Sequence, residues 1–222
     1  KPEGANLEFL KPVKEYIRMT IKGHSFGTII IGEGGISKSF SAFEVLREEK
    51  IEDFAYLSTY STPLALYTFL MENRTKIIIL DDVYGMTKPE IISILKSALW
   101  EVNGKRIINW NSKDKRMENI LPVFEFSGRL IILANKINGN DANTQALITR
   151  TNYYELKLTH KQKLNIMQEI SKLPYKSLKD EERTEIFSGL SELLTPATNY
   201  NFRTLIQAYN FYIYDKQNWK EL

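Results

Sequence analysis

Residues Gly32-Glu33-Gly34-Gly35-Ile36-Ser37-Lys38-Ser39 place a glycine-rich turn, a lysine and a hydroxyl in the order needed to hold a phosphate. The pattern G-x-x-x-x-G-K-[ST] works because backbone N–H groups wrap phosphate oxygens and a lysine neutralises them. The hydroxyl that follows then ligates Mg2+. Gly32 fits the first position, Lys38 the lysine and Ser39 the metal-ligating hydroxyl. Ser37 stands where the pattern has its second glycine, which is tolerable if the backbone there is not forced to positive φ. Gly34 and Gly35 keep the loop supple, and Phe40 continues it into a helical pattern. A phosphate held here meets the electropositive start of that helix.

A second element strengthens the first. The run "IIILDDV" puts Asp81 and Asp82 at the carboxyl end of an apolar strand, the end at which open α/β sheets bind ligands. Asp81 there can hold the shell of a Mg2+ ion, and Asp82 can polarise an attacking water. Alone, the acidic pair reads equally well as a solvated turn.

These residues need a scaffold, and the chain supplies one. Strands are predicted at 27–33, 54–61, 75–83, 128–136 and 152–158, alternating with helical patterns over 37–49, in "PLALYTFLMEN" and in "KPEIISILKSALWEV". Near-continuous apolar strands between helices indicate a parallel sheet covered on both faces. After Thr159 three helical patterns follow with no strand between them, punctuated by Pro174 and Pro196. The expected organisation is an α/β core over residues 1–158 and a small helical lid over 159–222.

Composition narrows the chemistry. The 222 residues are 43% hydrophobic, enough for a sizeable core, and the charges nearly cancel to +3. That balance leaves a local basic patch possible without requiring nucleic acid. The absence of cysteine removes thiol catalysis, disulfides and cysteine-based zinc sites. His24 and His160, the two histidines, are far apart and read as structural. No apolar run approaches the ~20 residues that span a bilayer, and the amino end is not a signal peptide. A cytoplasmic protein is expected, without a membrane partner. The lysine at position 1 fits a chain excised from something longer.

With both motifs in place, the sequence resembles the AAA+ branch of P-loop ATPases from about Thr28 to Ala208. "GEGGISKS" looks like Walker A, "IIILDD" like Walker B, and "LIILANK" like the sensor-1 strand with Asn135 as its polar residue. "NTQALITRT" resembles the segment carrying an arginine finger, here Arg150, and "NYNFRTLIQAY" the sensor-2 helix with Arg203. "LPVFEFSGRLIILANK" is especially like replication ATPases of phages, archaeal viruses and plasmids. The resemblance implies the P-loop NTPase three-layer sandwich, ATP and Mg2+ as ligands, and Glu33, Gly34, Gly35, Ile36 and Phe40 along the nucleotide loop. Asp82, Asn135, Arg150 and Arg203 become the catalytic candidates, with Ser39 and Asp81 at the metal. An arginine acting in trans implies a ring or filament, often a hexamer. Asp82 stands where most members carry glutamate, which points to slow turnover or a switch. The plainer alternatives stay open: Asn135 capping a strand, Arg150 in a surface ion pair, Arg203 packing the lid.

Between Val102 and Arg129 the connection is long, since most run ~4–6 residues. "KRIINWN" alternates enough for one arm of a hairpin, with "KDKRM" at or beyond its tip. Lys105, Arg106, Lys113, Lys115 and Arg116 would then face DNA phosphates and Trp110 would stack on bases. The alternative is a solvated insertion with Trp110 in the core. A DNA-acting helicase or helicase loader, with genome packaging as a variant, leads two other classes. One is a protein-remodelling ATPase with Tyr84 and Met86 in a pore loop; the other is a nucleotide-gated assembly switch.

Overall fold

A computed structural model describes residues 8–58, 61–82, 88–110, 120–137 and 141–221. The chain divides into two compact units. A core unit comprises Pro12–Gly32 and Ser37–Leu156, and a helical unit comprises Lys1–Lys11, Glu33–Ile36 and Lys157–Leu222. The helical unit is therefore not a simple carboxyl-terminal tail, because it takes in four residues of the glycine-rich loop.

The core unit is built on five parallel strands: β1 (Gly27–Gly32), β2 (Phe54–Ser58), β3 (Ile77–Asp81), β6 (Arg129–Ala134) and β7 (Asn152–Leu156). Their order is β2-β3-β6-β1-β7. All six residues of β1 are buried, as a strand covered on both faces demands. Ile29, Ile31, Ile78, Leu80, Leu130 and Ile132 pack with Leu66, Tyr67 and Leu70 of α3 (Pro63–Glu72) and with Ile91 and Leu95 of α4 (Pro89–Ala98). The alternate residues Ile30, Ile79, Ile131 and Leu133 are equally buried and point to the opposite face, because side chains alternate along a strand. Each such Ile or Leu contributes about 1.5–3 kcal/mol by leaving water.

Two helices flank β1 in sequence, α1 (Lys11–Ile21) and α2 (Lys38–Glu48). Thr20 of α1 meets Thr28 of β1 through a hydroxyl pair at 2.5 Å, and the Thr28 hydroxyl donates to the Tyr16 carbonyl at 2.9 Å. Arg18 and Lys14 of α1 bridge to Glu44 and Glu48 of α2 and to Glu49 just past its end. No element was expected before β1. Yet Val13, Ile17 and Ile21, the buried residues at four-residue spacing, form the stripe of an amphipathic helix. The short α5 (Ala142–Ile148), capped by Asp141 accepting from the Thr144 N–H, was also unforeseen.

The segment after α4 forms a small antiparallel ladder, β4 (Ile107–Asn109) with β5 (Val123–Glu125). Arg106, at its base, is 6% exposed. Its guanidinium donates to the carbonyls of Ala98 and Gly128 at 2.8 and 2.7 Å and lies over the rings of Phe26 and Phe126. Burial pushes its pKa down to about 10.

In the helical unit, α6 (His160–Ser171) opens on a capping box of Thr159 and Gln162. It is followed by α7 (Asp180–Leu193) and α8 (Phe202–Tyr214). Buried Arg183 ties the unit together by donating to the carbonyls of Ser171 and Leu178. Burial pushes the Tyr209 hydroxyl up to about 12. Among the described residues, no helix is long and apolar enough to cross a membrane.

Candidate nucleotide-binding site

Strand order builds the site. Because β6 lies between β1 and β3, three carboxyl ends stand side by side: Ile31 opposite Ala134, and Leu133 opposite Asp81. The chain leaves β1 at Gly32, leaves β3 at Asp81 and leaves β6 just before Asn135. Residues distant in sequence are thereby delivered to one edge of the sheet.

The side chains then connect. Lys38, in the first turn of α2, is 5% exposed, and its Nζ donates to the Gly32 carbonyl at 2.8 Å and to Asn135 Oδ1 at 2.9 Å. The amide nitrogen of Asn135 donates to Asp82 Oδ2 at 3.2 Å. Ser39 Oγ donates to Asp81 Oδ2 at 2.6 Å. Two hydrogen-bonded groups thus stand at this edge, Lys38–Asn135–Asp82 and Ser39–Asp81, in which Asp81 is buried and Asp82 exposed.

Backbone geometry corrects one expectation. Ser37 sits at φ 72, ψ 23, in the left-handed region, so the serine occupies the conformation that the usual glycine serves. The side chain makes no capping hydrogen bond that would offset this. Ser37→Gly is therefore expected to stabilise the protein by about 0.5–1 kcal/mol, after the extra freedom of unfolded glycine is set against the left-handed strain. A melting curve should move up by about 1–4 °C.

Asp82 is also left-handed, at φ 47. Aspartate and asparagine tolerate that region far better than glutamate, because their short polar side chains bond locally. The aspartate found where a glutamate was the family expectation suits the turn on which it stands.

Four residues of the loop belong to the helical unit, where they have their own contacts. Gly35 has φ 76, and a Cβ there would stand 2.6 Å from Asn201 Oδ1, so only glycine fits. Glu33 pairs with Lys163, whose ammonium also lies 5.2 Å from the centre of the Tyr200 ring. Ile36 is buried and Gly34 partly so, while Phe40, at the start of α2 in the core unit, is 39% exposed. Arg203 is exposed on the first turn of α8, its backbone N–H donating to Asn201 Oδ1 at 2.8 Å.

Arg150 makes its contacts elsewhere in the core unit. Its guanidinium lies 5.4 Å from the centre of the Trp100 ring, it donates to the Ala146 carbonyl, and its buried Nε has no hydrogen-bond partner among the described residues. With Lys96, Trp100, Lys105 and Ile107 it lines a cleft of about 280 Å³.

The nucleic-acid candidates divide. Arg106 is withdrawn, since its guanidinium is buried and committed to two carbonyls. Trp110 is half-buried against the core, 5.9 Å from the Tyr67 ring, and so is held as packing. Lys105 is exposed but paired with Glu125 at 3.1 Å. Lys113, Lys115 and Arg116, like Tyr84 and Met86, lie outside the described residues.

One member of the Ser39–Asp81 group was not anticipated. The Tyr56 hydroxyl, on β2, donates to Asp81 Oδ2 at 2.9 Å. Burial, reinforced by the Asp81 carboxylate, raises its pKa. No sequence signal marks it, because the adjacency of β2 to β3 becomes visible only in the folded sheet.

The donor set suits magnesium and a polyphosphate. Mg2+ takes hard oxygens, with one or two carboxylates completed by phosphate and water. Ser39 and Asp81 offer a hydroxyl and a carboxylate already in contact.

Neither a protein-family model nor a curated protein matches the sequence. Among solved structures, domain III of the replication initiation protein DnaA from Thermotoga maritima matches with a TM-score of 0.56 at 13% identity. That match covers 96% of this chain and 87% of the DnaA chain. A RuvB mutant from Thermotoga maritima matches with a TM-score of 0.52 at 14% identity, covering 94% of this chain. This chain spans 62% of that RuvB chain. The chain has the fold of an AAA+ domain. The core unit carries the five-stranded parallel sheet of this fold, and both hydrogen-bonded groups lie at its carboxyl edge.

Proposed function

We propose that the protein is a Mg2+-dependent AAA+ ATPase that self-associates and acts on DNA, as a replicative helicase or helicase loader. The observation that carries this is the gathering of two hydrogen-bonded groups, Lys38–Asn135–Asp82 and Ser39–Asp81, at the carboxyl ends of three neighbouring strands. The DNA assignment leans on the fold shared with a domain of a replication initiation protein and on the replication ATPases that the sequence resembles.

Each residue has a task in moving a phosphoryl group to water, a reaction in which positioning and charge stabilisation do most of the work. Lys38 turns from Asn135 and Gly32 toward the β- and γ-phosphates. Ser39 and Asp81 hold the Mg2+, which supplies charge neutralisation at the phosphate oxygens when bound. Asp82 orients the attacking water and accepts its proton, and Asn135 keeps that carboxylate aimed. Arg150 completes the site of a neighbouring subunit in a ring, and Arg203 acts from the helical unit on the γ-phosphate. The exposed face of the β4–β5 ladder, with Lys105 and the segment beyond it, is the candidate DNA contact.

A second reading is a nucleotide-gated assembly switch with weak hydrolysis. It is favoured by Asp82, whose short side chain is already bonded to Asn135. Steady-state ATP hydrolysis with Mg2+, with and without single- or double-stranded DNA, separates the two. DNA-stimulated turnover is expected. Turnover indifferent to DNA but raised by a partner protein would move the assignment to protein remodelling, and nucleotide-dependent assembly without turnover to the switch.

A further inference from the structure

Tyr56 is 41% exposed on β2, where its hydroxyl could bond water freely. Instead it points at a carboxylate that is only 8% exposed. Ser39 donates to the same atom, Asp81 Oδ2, at 2.6 Å, against 2.9 Å for Tyr56. A carboxylate oxygen has two lone pairs, so two hydroxyl donors fill Oδ2 and fix the plane of the group. Among the described residues, the capacity that remains is on Oδ1. The phenol is itself held from behind, since its ring packs at a tilt against Phe43 of α2 at 5.2 Å between centres, and Phe43 in turn meets Phe54 at 6.0 Å.

We propose that Tyr56 is a positioning residue for magnesium: its hydroxyl locks the Asp81 carboxylate so that Oδ1 faces the cation and its waters while Ser39 ligates it. The inference rests on the nucleotide-site reading above and adds a residue to it. When a cation is present the Ser39 hydroxyl can turn its lone pair to the metal and still donate its proton to Oδ2. Tyr56 donates in both states, so Asp81 does not have to reorganise on binding. Groups that orient a metal ligand in this way typically change metal affinity by about 10–100-fold when removed.

The test is Tyr56→Phe, which keeps the ring against Phe43 and removes only the hydroxyl. A fluorescent ATP analogue is titrated in EDTA and again with Mg2+ varied at fixed nucleotide. The expected result is unchanged affinity in EDTA, an unchanged melting temperature of the free protein, and a Mg2+ midpoint raised about tenfold. A Mg2+ midpoint equal to wild type would overturn the inference while leaving the nucleotide site standing. An equal loss with and without Mg2+ would overturn it too, because the hydroxyl would then be serving the fold or the nucleotide. Wild-type protein that bound no nucleotide under either condition would remove the nucleotide-site reading, and this inference with it.

Discussion

Lys38→Ala is expected to lower affinity for ATP by about a hundredfold, since it removes the one charge-assisted donor that the loop places among the phosphates. The Lys38 ammonium is nearly buried, and the Gly32 carbonyl and Asn135 Oδ1 are among its partners. A triphosphate bound at this loop would bring its anionic oxygens to that cation. Thermal melting checks this without requiring turnover. Ligand at about a hundred times its Kd stabilises a folded protein by about 2.7 kcal/mol. For a chain of this length that is a rise of about 5–10 °C. The wild type should show the rise and Lys38→Ala should not, while the two melt alike without nucleotide. A variant that shifted as far as wild type would mean that phosphates do not bind at this loop.

Asp82→Asn should separate binding from chemistry. Asparagine accepts the left-handed backbone at φ 47 as readily as aspartate does, so the turn after β3 is preserved. The carboxylate that orients and deprotonates water is lost. Turnover should fall by about 10²–10⁴-fold, the usual contribution of a positioned general base, with nucleotide affinity unchanged. The companion variant Asp82→Glu tests the backbone argument. Installing the glutamate usual in the ATPases that the sequence resembles should not raise turnover, because glutamate is disfavoured in that conformation and its longer arm displaces the bond with Asn135. A Glu variant faster than wild type would show that the short side chain limits the reaction and that the turn adapts easily. An Asn variant with normal turnover would take Asp82 out of catalysis.

Much of the architecture could be read in advance because its signals are local. Strands β1, β2, β3 and β6 are apolar runs bounded by turn residues, and α6 and α8 open on side-chain caps. The loop and the acidic pair were legible for the same reason, since each is a short contiguous pattern. What escaped is what depends on neighbours distant in sequence. Tyr56 joins the site only because β2 pairs with β3. Arg106 looked like one of a run of cations, yet its burial is decided by Phe26, Ala98, Phe126 and Gly128. The conformation of Ser37 is likewise a property of the closed loop, where the residue type pointed the other way. The helix α1 escaped for a lesser reason: its stripe is present but polar residues dilute it.

The place of β6 between β1 and β3 also governs how the protein comes into being on the ribosome. A nascent chain that has reached residue 128 already contains the glycine-rich loop and both aspartates, but not the strand that bridges β1 to β3. Until residues 129–134 emerge, two strongly apolar strand segments have no partner between them. Pairings across such sequence distances form slowly and leave sticky edges in the meantime. Chains stalled or cleaved in the stretch before β6 should therefore be bound by chaperones or aggregate, and gain no protection from added nucleotide. The strand that sets the ends of β1 and β3 on one edge arrives late in synthesis, with six residues.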